Sequence, residues 1–266
     1  MTVSLNTRFD LHLHTSASDG RYDLDEVLRR CASGGLDWIA ITDHDLGCGI
    51  EPGERQVGDR ILRVLPGAEV SGVHQGIEYH LLCYFPNGVP QGFHAFCRSQ
   101  CGEREVRYEA ALQLLGLDGR PEQAVALTRL HLAHALVEAG AVADRREAFA
   151  TYLSDRHGLV PRMSLPFVDA IRVAREHGGI TSWAHPPRGA IERHLGTFAR
   201  AGLQGLEALR PHISGSERRY VRKQARRHGL FLTGGSDWHG WRGFEPGLFR
   251  VTASEISDFV DALLAA

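Results

Sequence analysis

The 266-residue chain has a single lysine, Lys223, two methionines and five cysteines, and its formal charge is only −2. The cysteines (Cys31, Cys48, Cys83, Cys97 and Cys101) are odd in number and scattered, with no C-x-x-C pair. That excludes a disulfide framework and a zinc knuckle and leaves plain reduced thiols. A near-neutral chain has no electrostatic basis for wrapping nucleic acid. No apolar run approaches the ~20 residues a membrane helix needs, and no basic start leads into an apolar signal segment. A soluble, cytoplasmic protein without membrane contact is therefore expected. There is no G-x-S-x-G elbow and no P-loop, so neither a serine nucleophile nor a nucleotide-phosphate cradle of the usual kind is available. What the chain has in excess is histidine: 15 residues with no tag to account for them. Histidine in that quantity points to metal or acid–base chemistry.

Hydrophobic residues make up 43% and charged residues 23%, an ordinary mixture that fills one large domain or a main domain with a small second one. Short strand-like runs alternate with helix-like stretches, the pattern of a βα protein with a parallel sheet or barrel. The strands are "RFDLHLH", "DWIAIT", "ILRVLPGAEV", "IEYHLLCYF", "GGITSWAH", "GLEAL" and "LFLTGGSD". "DLDEVLRRCASGG" is a helix with acidic residues early, basic residues late and glycine at its end. "PFVDAIRVAREHGG" and "ERRYVRKQARRHGL" have the same form, and the basic run of the latter reads as a solvated face. Residues 97–163 differ: they are helical without a credible strand, and they read as an insertion into a barrel formed by residues 1–96 and 164–266.

On this map the polar residues fall at strand ends. His12 and His14, two apart in a strand, point the same way. Asp43, His44 and Asp45 follow the second strand, and Glu69 lies at the end of the third. His80 lies in the fourth, His185 ends the fifth, and Asp237 and His239 end the last. The carboxyl ends of barrel strands converge on one face, where sites are built. So many imidazoles and carboxylates together would cost several kcal/mol in repulsion and desolvation without cations between them. Nitrogen and oxygen donors without thiolates suit Mn²⁺, Fe²⁺ or Zn²⁺. More than six candidates imply more than one ion.

The motifs "DLHLHTSASDG", "ITDHD", "GAEVSG" with "HLLCYF", "AHP" and "GGSDWHG", in that order, resemble the PHP (polymerase and histidinol phosphatase) family of metal-dependent phosphoesterases. The resemblance covers most of the chain outside the helical stretch. It implies an α/β fold, a distorted (β/α)7 barrel of the PHP type with a helical insertion, and two or three divalent metal ions, Mn²⁺ first and Zn²⁺ or Fe²⁺ as alternatives. Carried over, His12, His14, Glu69 and Asp237 would hold one metal. Glu69 would bridge to a second, held also by His80 and His185, and Asp19, His44 and His239 would hold the third. Many members have histidine where Asp19 stands, and a carboxylate there would weaken or change the third metal. The "S-D-G" and the insertion resemble the subgroup that acts on nucleotides and RNA ends. The expected substrate is thus a nucleoside 3′,5′-bisphosphate or a short RNA end, not a duplex.

Within the insertion, "LTRLHLAHALVEAGAV" resembles the subgroup's phosphate-contacting segment. Thr128 would cap a helix with Arg129 and His131 in its first turn, where both can flank an anion on free N–H groups. Arg188 and His212, following strand ends, are further candidates for phosphate contact, whereas Tyr152 reads as a packed aromatic. His94, His134, His157, His177, His194 and His228 lie off the strand ends and read as structural or exposed. The expected chemistry is in-line attack by a metal-bound hydroxide. Asp43 or Asp45 would orient His44 and shuttle protons, His212 would assist, and Asp10 would support the ligands from the same strand face. A histidinol-phosphate or sugar-phosphate phosphatase would use the same metals with a different cap. A C–N hydrolase with a carboxylated lysine is disfavoured by the lone Lys223, and a non-catalytic metal-binding module by the complete ligand set.

Overall fold

The computed structural model describes residues 3–154, 157–241 and 243–266. The chain starts with β1 (Arg8–Leu13), α1 (Leu24–Ser33) and β2 (Trp38–Ile41). A short β3 (Gly53–Val57), a long β4 (Arg60–His74) and β5 (Ile77–Tyr84) follow. Next come α2 (Gln91–Leu115), α3 (Arg129–Glu138) and α4 (Arg145–Ala148), which runs into a π-helical turn at Phe149–Leu153. After α5 (Phe167–Glu176), the chain alternates through β6 (Ile180–Trp183), α6 (Arg188–Arg200), β7 (Gly205–Leu209), α7 (Gly215–Arg227) and β8 (Phe231–Gly234). It ends with β9 (Val251–Thr252) and α8 (Ser257–Ala265).

The strands form one sheet in the order β8-β7-β6-β5-β4-β2-β1-β9, with β3 added beside β4. Seven of them (β1, β2 and β4 to β8) curl into a nearly closed barrel, because the chain after β8 returns to β1. There the N–H of His14 donates to the carbonyl of Trp238 at 3.1 Å. The approach needs glycine: a Cβ on Gly235 would lie 2.3 Å from that of His12. The distorted seven-stranded barrel expected from the motifs is the observed fold.

The sheet is not the all-parallel one expected. β5 is antiparallel to both β4 and β6. The cause is local: His74 pairs with Ile77 across a two-residue turn, with Gln75 and Gly76 at φ of +50° and +74°, the signature of a tight hairpin. His80 therefore reaches the site from the amino half of its strand. β3 was not expected, because "GERQV" lacks apolar alternation; it is a largely exposed edge paired only to β4.

Helices cover the barrel with apolar faces at helical spacing. α5 buries Phe167, Ala170, Ile171 and Ala174, the i, i+3, i+4, i+7 stripe of an amphipathic helix. Asp23 caps α1, accepting from the N–H of Glu26 at 2.8 Å. Inside the barrel, His80 shares a strand face with Leu82 and Tyr84, and Glu69 shares one with Leu65. Leu65, Leu82, Tyr84, Leu209 and Phe231 pack with Phe259 of α8, an apolar plug beneath the polar residues. The helical stretch has its own core, with Tyr108, Ala111, Leu132 and Leu136 among its buried members. Its first helix begins at Gln91, six residues before the boundary read from sequence. The helix expected to start after a Thr128 cap does so, running over Arg129–Glu138, and Asp155 and Arg156 lie outside the described residues.

Candidate active site

At the mouth of the barrel the two oxygens of Glu69 sit among five imidazoles. Its Oε2 lies 3.2 Å from His12 Nε2, 3.3 Å from His14 Nε2 and 3.2 Å from His44 Nδ1. Its Oε1 lies 3.1 Å from His80 Nδ1 and 3.0 Å from His185 Nε2. Asp237 Oδ1 is 3.4 Å from His12 Nε2 and 3.3 Å from His14 Nε2. Asp19 faces His239 at 3.2 Å and His44 at 3.7 Å. Two donors bound to one ion at about 2.1 Å, 90–109° apart, are themselves separated by about 3.0–3.4 Å, the spacing seen here.

His12 Nε2, His14 Nε2, His44 Nδ1, His80 Nδ1 and Glu69 Oε2 are all buried without a hydrogen-bond partner. Polar atoms are rarely left so in a folded protein, and a cluster of them aimed at one point is a donor set suited to cations. Three overlapping groups could each hold an ion: His12–His14–Glu69–Asp237, His14–Asp19–His44–His239 and His44–Glu69–His80. The nine ligand candidates named from sequence thus converge, with His14 reaching towards Asp19 as well as towards Glu69.

Burial disfavours the charged form of His14, but the carboxylates of Asp237, Glu69 and Asp19 beside it outweigh this and raise its pKa to about 10. His80, equally desolvated, is raised to about 9 by Glu69 and Glu78. Burial also opposes charge on Glu69, yet His12, His44 and His80 hold its carboxyl well below the usual range. Burial pushes the His44 pKa well down, and His14 and Arg104 add to that effect against the pull of Glu69 and Asp19. Carboxylates that stay ionised beside imidazoles able to lose a proton are what a divalent ion requires of its ligands.

The ring of His12 is held from behind by Glu207, whose Oε1 lies 2.9 Å from Nδ1 and whose Oε2 accepts from the backbone N–H of His185 at 2.7 Å. This fixes the tautomer that leaves Nε2 bare towards Glu69. The sequence reading missed Glu207, because in "GLEAL" it looks like a polar break in an ordinary strand. Asp10 accepts from the N–H of Ser236 at 2.8 Å, so it anchors the segment carrying Asp237 instead of bonding a ligand ring. Among the described non-glycine residues with left-handed backbone are Asp45, His185, His212 and Asp237. Strain of this kind, about 1–3 kcal/mol per residue, persists where surroundings over-determine it and clusters at functional sites.

Several expected roles fall differently. The oxygens of Asp43 accept from Thr15 N, Thr15 Oγ1 and Ser18 Oγ at 2.7, 2.7 and 2.6 Å, tying down the loop that leads to Asp19. Asp45 accepts from Ser71 N at 2.8 Å and from Arg104 Nε at 2.6 Å, joining barrel to helical segment. Among the described residues neither bonds the His44 ring, so both are anchors and neither orients it. Thr128 does cap α3, but His131 Nδ1 accepts the Thr128 N–H at 3.0 Å. That ring is part of a capping box and is not among the residues lining the cavity. Arg188, 63% exposed, pairs with Glu192 and stacks 4.3 Å above the Tyr220 ring, also away from the lining.

Above the candidate ligands opens a cavity of about 930 Å³. Arg107, Arg129, Arg145, Arg146, Arg210 and His212 line it, and Phe149, Trp241 and Phe244 add aromatic surface. Glu78, which the sequence reading did not single out, sits in the wall between His80 and the arginines, 3.8 Å from His80 Nε2 and 3.1 Å from Arg107 Nη1. The five cysteines are free thiols, four of them buried. Among the described residues no helix is long and apolar enough to cross a membrane.

Residues 10–110 match the PHP domain. The chain is 32% identical over 252 residues to a 3′,5′-nucleoside bisphosphate phosphatase of Chromobacterium violaceum, covering 86% of each chain. It is 30% identical over 248 residues to the 5′-3′ exoribonuclease Rnm of Escherichia coli K12, covering 87% of this chain and 85% of that one. Among solved structures, it superposes with a TM-score of 0.77 on a protein assigned as a metal-dependent phosphoesterase from Bifidobacterium adolescentis, 25% identical, covering 97% and 95% of the two chains. It superposes with a TM-score of 0.80 on a protein described as an amidohydrolase from Chromobacterium violaceum, with bound sulfate and no metal, 27% identical and covering 97% and 96%. Lys223, the sole lysine here, is exposed on α7 and so supplies no carboxylated bridge of the kind some C–N hydrolases use.

Proposed function

This chain belongs to the PHP domain family and is a metal-dependent phosphoric ester hydrolase, and from that premise we propose that it acts on phosphate esters of nucleotides or short RNA ends, a nucleoside 3′,5′-bisphosphate being the first candidate. The observation that carries this reading is that one cavity joins the ligand cluster to a separate set of cations and to aromatic side chains. A substrate with one phosphate to cleave, a second anionic group to hold and a base to stack matches all three. The volume suits a nucleotide or a strand end, not a duplex.

In the proposed site His12, His14, Glu69 and Asp237 would hold one ion, Glu69, His80 and His185 a second, and Asp19, His44 and His239 a third. Mn²⁺ suits this donor set best, with Zn²⁺ and Fe²⁺ as alternatives. When bound, such ions lower the pKa of water towards neutrality and polarise a phosphoryl oxygen. The chain's own contribution is placement. Glu207 keeps Nε2 of His12 bare, Asp10 holds the Asp237 segment against β1, and Asp43 fixes the loop before Asp19. Arg107, Arg129, Arg210 and His212 orient the anion that is not cleaved, and residues 97–163 act as a cap that limits water and substrate size. The free thiols fit a reducing, cytoplasmic compartment.

The test is to incubate Mn²⁺-loaded protein, beside a His12→Ala control, with adenosine 3′,5′-bisphosphate, AMP, 5′-phosphorylated RNA and histidinol phosphate, and to measure phosphate and nucleoside release. Turnover of the nucleotides or RNA that vanishes in the control is the expected result. Turnover of histidinol phosphate alone would overturn the substrate assignment.

A further inference from the structure

Glu78 lies two residues before His80 on β5, so the pleat places both side chains on one face. Its carboxylate is only 7% exposed, and it faces three partners of two kinds. On one side Oε1 lies 3.8 Å from His80 Nε2, the nitrogen opposite the one turned towards Glu69. On the other, Oε1 accepts from Arg107 Nη2 at 3.4 Å, and Oε2 lies 3.1 Å from Arg107 Nη1 and 4.0 Å from Arg129 Nη2. The 3.1 Å contact has ion-pair separation without hydrogen-bond alignment, since both of its atoms are buried and unsatisfied. One carboxylate is therefore shared between a ring of the ligand cluster and two guanidiniums of the cavity wall.

We infer that Glu78 is a positioning residue that couples the ligand His80 to the anion-holding pair Arg107 and Arg129. The inference rests on the reading above, in which His80 holds metal and the arginines hold phosphate. At 3.8 Å the Glu78 contact with Nε2 is an ion-pair separation and not a hydrogen bond; its negative charge behind the imidazole favours the N–H on Nε2 and so strengthens Nδ1 as a donor. The same carboxylate fixes the planar forks of the arginines, so that their other N–H groups meet an anion without first being ordered. Among the described residues, the nearest comparable device is Glu207 behind His12, and that one faces no arginine.

Glu78→Gln keeps the shape and removes the charge. Mn²⁺ occupancy is measured by equilibrium dialysis with elemental analysis, and kcat and KM on adenosine 3′,5′-bisphosphate, for E78Q, E78D, R107Q and the E78Q/R107Q double variant. Expected are an approximately tenfold higher Mn²⁺ requirement in E78Q with a raised KM, a raised KM alone in R107Q, and a double variant whose KM increase falls short of the product of the two single increases. E78D should recover part of the Mn²⁺ affinity, and it carries the test if E78Q lowers the melting temperature. Wild-type Mn²⁺ occupancy in E78Q, or KM increases that multiply in the double variant, would overturn the coupling. If the wild type turns over no ester, the functional reading fails, while the Mn²⁺ measurement still decides whether Glu78 supports His80.

Discussion

Replacing Glu207 by glutamine separates orientation of His12, a proposed metal ligand, from integrity of the fold. Glu207 makes two contacts: with His12 Nδ1 at 2.9 Å and from the His185 N–H at 2.7 Å. Glutamine can keep the second through its carbonyl, but it then offers a neutral amide to the imidazole. Loss of a carboxylate behind a ligating histidine lowers metal affinity about 10- to 100-fold, or about 1.4–2.8 kcal/mol at 1.4 kcal/mol per decade. Alanine removes both contacts and leaves the His185 N–H unsatisfied, which adds about 1–3 kcal/mol of fold destabilisation. In a chain of this size about 2 kcal/mol lowers the melting temperature by about 4–8 °C. Mn²⁺ binding by equilibrium dialysis and melting followed by circular dichroism separate the two effects. E207Q should lose metal affinity at a near wild-type melting temperature, and E207A should lose both. E207Q that binds Mn²⁺ within twofold of wild type would refute the argument that His12 needs its carboxylate.

Further outcomes follow from the same geometry. In the metal-free protein His14 and His80 have pKa values raised from 6.5 to about 10 and about 9, so both rings are protonated at pH 7.5 and must lose a proton to ligate. Metal binding should then release protons, and apparent affinity should rise with pH until about 9–10; calorimetry in buffers of different ionisation enthalpy reads the protons, and no net release would contradict the assignment. For the metal-free fold the sign is opposite. Because these folded-state pKa values are raised, the stabilisation is complete below pH 6.5 and is lost as pH climbs through about 9–10, which a melting series checks. Gly235→Ala would place a Cβ 2.3 Å from that of His12 and 2.6 Å from its backbone nitrogen. Strand β1 must move, so both melting temperature and Mn²⁺ affinity should fall; an unchanged metal titration would show that the strand has room to shift.

Much of the centre is written locally. The alternation in "FDLHLHTSASDG" and the D-x-H of "GGSDWHG" state which side chains share a face, because a strand's period of two needs no tertiary partner. Seven strands and the cap at Thr128 follow from the same short-range rules of pleat and helix start. The resemblance of the motifs then supplied Asp19 and the barrel. Other features depend on what the chain meets in space. β5 runs backwards because of a two-residue turn, and that reversal lets His80 enter the site from the amino half of its strand. Asp43 and Asp45 look from sequence like partners of His44, yet Thr15 and Arg104, distant in the chain, claim their oxygens. His131 and Arg188 carry the right chemistry for phosphate, but one closes a helix cap and the other settles over Tyr220. Glu207 and Glu78 gave no local signal, since a buried carboxylate is recognisable only by the groups packed around it. Sequence by itself determined the strands and most of the candidate donors they bear; tertiary structure decided which carboxylates face those candidates and which merely hold the scaffold, because burial and hydrogen bonding at these positions are long-range properties.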